Sequence, residues 1–330
     1  MNIFPITRLR RSRQSDGIRK LFDLPPPPSN KFIWPVFVSE GRNIKEPLQT
    51  MPGQYKFGID TLLKVLEPIA DKIGGILLFG VIPQHNRNDK GTYSYDEKGI
   101  IQKTIRKLRR TFSELIVCTD VCLCAYTKHG HCGILSKNGS VDNELTNAIL
   151  AKIAVSHAYA GAQVVAPSAM MDGQVTHIRS ALDKEGFTNT LIMSYSTKFA
   201  SSMYGPFRDV EQSAPRQGNR KGYQASFKNL NLAIRESLMD ELEGADILMV
   251  KPALFYLDII SQLRQITHLP IATYNVSGEY SMLHAAAEKG YGELYPMVYE
   301  ALMAIWRTGV DIIISYWANQ YSSIFRNEFS

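Results

Sequence analysis

No stretch of this sequence holds the roughly 20 consecutive apolar residues that a membrane-spanning helix requires, so a soluble chain with no membrane partner is expected. Cysteine is scarce as well: there are four in 330 residues, three of them crowded into DVCLCAYTKHGHCGI, Asp120 to Ile134. So few thiols argue against a disulfide framework and fit a reducing compartment, the cytoplasm, with the clustered three available to a metal. No GxGxxG follows the first apolar run and no Walker sequence occurs anywhere, which removes the usual support for nucleotide-binding α/β folds. Lys and Arg exceed Asp and Glu by 37 to 31, a formal charge of +6, but the cations are scattered and recur beside acids in helical segments. Without a compact basic and aromatic surface, no nucleic-acid partner is expected. The start, MNIFPITRLRRSRQS, lacks acids and lacks the apolar core of a secretory signal. Transit peptides share such a basic start, but the preferred reading is an exposed arm that docks on a neighbouring subunit.

What the chain does contain is alternation. After the stiff, polyproline-type linker LPPPPSN come eight short apolar runs: Phe32 to Val38, Gly75 to Val81, Leu115 to Asp120, Gln163 to Ser168, Thr190 to Ser196, Asp246 to Lys251, Pro270 to Val276 and Val310 to Tyr316. Between them lie helical patterns such as DTLLKVLEPIADKI, NELTNAILAKIAVSHAYA, QVTHIRSALDKEG and NLNLAIRESLMDELEG, several ending at Gly. Strand then helix, repeated eight times, predicts an α/β fold of the (β/α)8 TIM-barrel type over residues 31–330, preceded by an N-terminal arm and Pro-rich linker over 1–30. Hydrophobic residues, 45% of the chain, suffice for such a core. Two connections are long, PQHNRNDKGTYSYDEKG after the second run and Thr197 to Phe227 after the fifth, the latter read as a lid.

Barrel chemistry sits at the carboxyl ends of the strands. Those ends carry Asp120 with the cysteine segment, Ser168, Lys198, Lys251, Ser277 and Tyr316. Lys251 follows the apolar DILMV, which puts its stem inside the barrel. Burial depresses the pKa of an ammonium and leaves a neutral amine able to form a Schiff base with a carbonyl substrate. The bland alternative is a strand-end lysine that snorkels to solvent. Lys198 follows LIMSYST on the preceding strand, roughly 5 Å away across a sheet, where two ammonium groups repel and at least one pKa falls. Its alternative is an exposed loop lysine.

Cys122, Cys124 and Cys132 offer three sulfur ligands in a C-x-C-x7-C spacing, whereas structural zinc sites are closed by four. Three ligands leave one position for water or substrate, the pattern of a catalytic site. Cys118 faces the other way in its strand and reads as core, while His129 and His131 read as supporting contacts or loop packing. In the lid, Arg208, Arg220, Lys221 and Gln224 suit recognition of a small acid, against the alternative of solvated loop residues. Ser277 and Tyr316 offer neutral hydroxyl donors for a second carboxylate, or ordinary strand-end hydrogen bonds.

Several segments resemble the signature segments of the porphobilinogen synthase family, also called delta-aminolevulinic acid dehydratase, in their expected order: DVCLCAYTKHGHCG, APSAMMDGQV, IMSYSTKFASSMYGPFRD, GADILMVKPALFYLDI and VSGEYSML. The resemblance runs from about Arg8 to the last strand and implies a (β/α)8 lyase. That enzyme condenses two molecules of 5-aminolevulinate into porphobilinogen with release of two waters, on the route to haem. It implies Schiff bases at Lys251, on the propionate side of the product, and at Lys198, on the acetate side. It further implies carboxylate binding by Ser277 and Tyr316 and by Arg208, Arg220 and Gln224, zinc at Cys122, Cys124 and Cys132, and allosteric magnesium at Glu236. The arm resembles one that embraces a neighbouring subunit in homo-octamers. Asp120 is assigned as a base or as orienting the zinc segment, with a strand-end cap as its alternative. Asn219, the run from Ala225 to Phe227, and Asn275 depart from the family pattern, at the lid and at one strand end.

Two rival readings have distinct requirements. A class I aldolase needs one Schiff-base lysine and has no use for three thiolates beside it. A non-catalytic zinc-binding interaction module needs four protein ligands.

Overall fold

The structure is a computed structural model and describes residues 6–325. Its strands are β1 Phe32–Val38, β2 Lys45–Pro47, β3 Tyr55–Phe57, β4 Gly75–Gly80, β5 Ile116–Val121, β6 Val164–Pro167, β7 Leu191–Lys198, β8 Ile247–Lys251, β9 Ile271–Asn275 and β10 Ile312–Ser315. Eight of them pair in parallel in the order β1-β4-β5-β6-β7-β8-β9-β10, and β10 returns to β1 through Phe32↔Ile313 and Ile33↔Ile314. This is the closed (β/α)8 TIM barrel. With side chains inside and helices outside, a parallel strand is covered on both faces, which is why FIWPVFV and GILLFG read as unbroken apolar runs and are buried throughout.

The helices follow their punctuation. The longest, Asn143–Ala160, begins where Asp142 accepts a hydrogen bond from Leu145 N and stops at Gly161, whose φ of +105° lies in the left-handed region. The predicted helix over 60–73 ends early, as Ile59–Leu66, because Pro68 has no N–H to donate to the carbonyl four residues back. No helix among the described residues is long and apolar enough to cross a membrane.

The count of eight strands needs one correction. Between β1 and the first long helix, β2 pairs antiparallel with β3, and β3 pairs with the end of β1 at Phe37 and Val38. Three-residue strands, one of them fully exposed KEP, carry no two-residue period long enough to read.

Pairing at the β7–β8 seam positions the chemistry. Ser194 pairs with Leu248, but Thr197 pairs with Val250, so β7 carries one extra residue there. The bulge brings Lys198 opposite Lys251. In continuous register Lys198 would have met the next position and pointed to the other face. The strand also runs two residues further than the apolar pattern predicts, making Lys198 its last residue.

A candidate active site at the carboxyl ends of the strands

Lys198 and Lys251 are 6% and 5% exposed. Their Nζ atoms stand 5.5 and 5.0 Å from the centre of the same ring, Tyr195, and Lys251 Nζ lies 4.1 Å from the Tyr274 ring. Lys198 Nζ donates to Ser168 O at 2.6 Å. Desolvation, helped by the neighbouring Lys198 charge and opposed by Asp120 and Glu211, lowers Lys251 to about 7. A narrow cleft at these strand ends is lined by Asp120, Cys124, Lys198, Arg208, Arg220 and Lys251. Asp120 is pushed above its ordinary range by burial, against the pull of Lys198, the Ser168 hydroxyl and Lys251.

The three cysteines converge beside that cleft. Cys122, Cys124 and Cys132 are buried, their sulfurs within 4.8 Å of one another, and Cys122 Sγ is 3.5 Å from Cys124 Sγ. Hydrogen bonds from Cys122 and Cys124, with the positive Arg220 and Lys198 nearby, hold Cys132 well below the usual thiol range. Three soft donors this close suit a thiophilic dication. Cys118 lies in the core, where burial raises its thiol to about 12. His129 and His131 stand outside the sulfur group. His131 Nε2 is 2.9 Å from Gln217 O and its Nδ1 is 3.1 Å from Tyr223 OH, and Tyr223 OH also accepts from Cys132 N, so the pair ties the cysteine loop to the lid.

The lid is the segment between β7 and helix Leu230–Leu242, and it contains the short helix Gly205–Glu211. It is fastened at its far end, where Ala225 N donates to Lys198 O at 3.0 Å. Arg220 is buried and donates to Gly130 O at 2.9 Å. Arg208 Nε, Arg220 Nε and both amide atoms of Gln224 are buried without a partner among the described residues. Unpaired buried donors are costly, so a polar ligand is the expected complement. Lys221 is exposed. Ser277 Oγ accepts from Phe207 N at 3.1 Å, and Tyr316 OH is 3.1 Å from Tyr274 OH, which puts both hydroxyls on the Lys251 side. Asn275 is engaged at its strand end, donating to Glu279 Oε2 at 3.0 Å and accepting from Ser315 Oγ at 3.0 Å.

Glu236 is not part of this constellation. It lies on helix Leu230–Leu242, beside Asp172 in a wider hollow on the outer side of the lid, and burial with the Asp172 charge raises its pKa. Two residues the sequence reading missed do reach the centre. Glu211 is buried against Cys124, and burial with the nearby Asp120 pushes it up to about 8. Tyr195 lies under both lysines. The sequence carried no signal for either: three residues apart in a regular strand, Tyr195 and Lys198 would face opposite sides, and the β7 bulge removes that difference, while the inward face of the short lid helix is set by its neighbours.

The family model for delta-aminolevulinic acid dehydratase matches residues 6–324. The chain belongs to the delta-aminolevulinic acid dehydratase family. Among curated dehydratases of that name, the one from Methanothermobacter thermautotrophicus is 46% identical over 318 residues, covering 96% of each chain. The Escherichia coli dehydratase is 46% identical over 314 residues, covering 95% of this chain and 96% of that one. The fold matches the crystal structure of the Toxoplasma gondii dehydratase in complex with its reaction product porphobilinogen, with a TM-score of 0.94 and 38% identity over 96% of this chain and 91% of that one. The dehydratase family is a family of enzymes, and the cysteine triad here is a possible metal site of this member.

Proposed function

We propose that the protein is a porphobilinogen synthase, a hydro-lyase that condenses two molecules of 5-aminolevulinate to porphobilinogen and two waters in cytoplasmic haem synthesis. The observation that carries the reading is the pair Lys198 and Lys251, in register on adjacent strands, both buried, over one aromatic ring and beside three thiols. Lys251, whose amine sheds its proton near pH 7 rather than near 10.5, attacks one ketone and Lys198 the other. Each imine makes its carbon electrophilic and acidifies the neighbouring C–H bonds, so one pocket activates both partners for joining. Asp120 faces both amines electrostatically and serves as the base or as the group that orients the cysteine segment. Arg208, Arg220 and Gln224 bind one substrate carboxylate and Ser277 with Tyr316 the other.

Zinc fits the sulfur donors of Cys122, Cys124 and Cys132, where it would polarise a substrate carbonyl. A second, allosteric magnesium ion is assigned to Glu236. The arm over 1–30 exposes Ile6, Leu9, Leu21 and Phe22, which supports docking on a neighbouring subunit in a homo-octamer. Its first five residues lie outside the described ones. Purified protein given 5-aminolevulinate, zinc and a thiol reductant is expected to form a pyrrole that develops the Ehrlich colour, and Lys251→Met is expected to form none. A colourless reaction from the unaltered protein would reject the reading.

A further inference from the structure

Glu211 ends the helix Gly205–Glu211 and is only 2% exposed. Its backbone is clamped by Arg87, itself 4% exposed, whose guanidinium donates to Glu211 O at 2.9 Å, Gln212 O at 2.9 Å and Ile82 O at 2.8 Å. The helix end therefore has little freedom. Its carboxylate has no ion pair within 4 Å among the described residues. Cys124 Sγ lies 3.8 Å from Glu211 Oε2, and Arg220, the Ser213 hydroxyl and Lys251 also act on the carboxylate.

A dication bound to the three sulfurs would be the largest local charge in this buried site and would draw a neighbouring carboxylate towards it. A tetrahedral dication with sulfur at about 2.3 Å and carboxylate oxygen at about 2.0 Å spaces two sulfurs about 3.8 Å apart and a sulfur from the oxygen about 3.5 Å. The 3.5 Å between Cys122 and Cys124 and the 3.8 Å between Cys124 and Glu211 are of those sizes. The group of mutually close ligand atoms holds the three sulfurs and not the carboxylate, so Glu211 meets an ion held there by turning its side chain.

We propose that Glu211 is the fourth protein ligand of the Cys122, Cys124 and Cys132 centre, an exchangeable carboxylate that closes the coordination shell in the absence of substrate. The proposal rests on the three cysteines binding a metal and adds what fills the position they leave. It also accounts for a carboxylate buried against the thiol of a metal-binding segment.

Cobalt(II) titration of the metal-free, full-length protein tests it, with absorption read for the unaltered chain, Glu211→Gln and Glu211→Ala, and zinc affinity measured by chelator competition. All three proteins are expected to show the same sulfur-to-cobalt charge-transfer intensity, that of three thiolates. Glu211→Gln is expected to change the ligand-field bands and weaken zinc binding at least about tenfold. Acetate added to Glu211→Ala should restore the original bands. Unchanged ligand-field bands in Glu211→Gln, with or without weaker zinc binding, would show that the carboxylate acts from outside the shell and overturn the assignment alone. If the unaltered protein shows no sulfur-to-cobalt band, the metal centre fails and this ligand with it.

Discussion

At Lys251 an ammonium has lost its water without gaining an ion-pair partner within 4 Å among the described residues, and its pKa falls from 10.5 to about 7. The unfolded chain keeps that proton up to about 10.5, so between about 7 and 10.5 the unfolded state binds more protons than the folded one and stability rises with pH. Lys251→Met removes the titrating group. The melting temperature of the unaltered protein should therefore rise relative to that of Lys251→Met as pH increases from about 7 to about 9, and a constant difference would mean an amine that is not depressed. Imine formation should climb through the same region, as the amine loses its proton. At this scale the sequence was informative where an apolar run leads into a charged residue, as at Lys251. It was silent at Glu211, because which face of a short lid helix turns inward is decided by Arg87 and the barrel, not by the helix itself.

Between elements, two close fits hold the site. The bulge in β7 sets Lys198 opposite Lys251, and no residue in LIMSYSTK announces it, since a bulge is a property of the pairing with β8. The lid base rests on Gly278 in helix Ser277–Glu288, where an added Cβ would come within 2.5 Å of Met203 O. That contact is backbone and cannot yield without moving the lid. Gly278→Ala is expected to cost about 1–3 kcal/mol of stability and to raise KM for 5-aminolevulinate more than it lowers kcat, because Ser277 and Phe207 lose their alignment. Wild-type kinetics and melting in that variant would show that the lid does not depend on this approach. The eight barrel strands and the major helices were legible from period and punctuation. The β2–β3 pair was not, because three-residue strands are made by their neighbours.

For the whole molecule, closure of the barrel by β10 onto β1 brings residues from 120 to 316 to one rim, and this long-range convergence is what made a scattered set of Lys, Cys, Arg, Ser and Tyr readable as one site. Oligomerisation belongs to the same scale. Residues 6–24 leave Leu9, Leu21 and Phe22 at 71%, 80% and 70% exposure, more apolar surface than an isolated arm needs. A chain lacking residues 1–24 is expected to elute as a smaller assembly in size exclusion with light scattering, and an unchanged mass would remove the arm from assembly. The central claim is that two buried amines in one pocket capture two ketones. Borohydride reduction in the presence of labelled 5-aminolevulinate, followed by peptide mapping, tests it most directly. Label on both Lys198 and Lys251 is the predicted result, and saturating label that spares both would contradict the account.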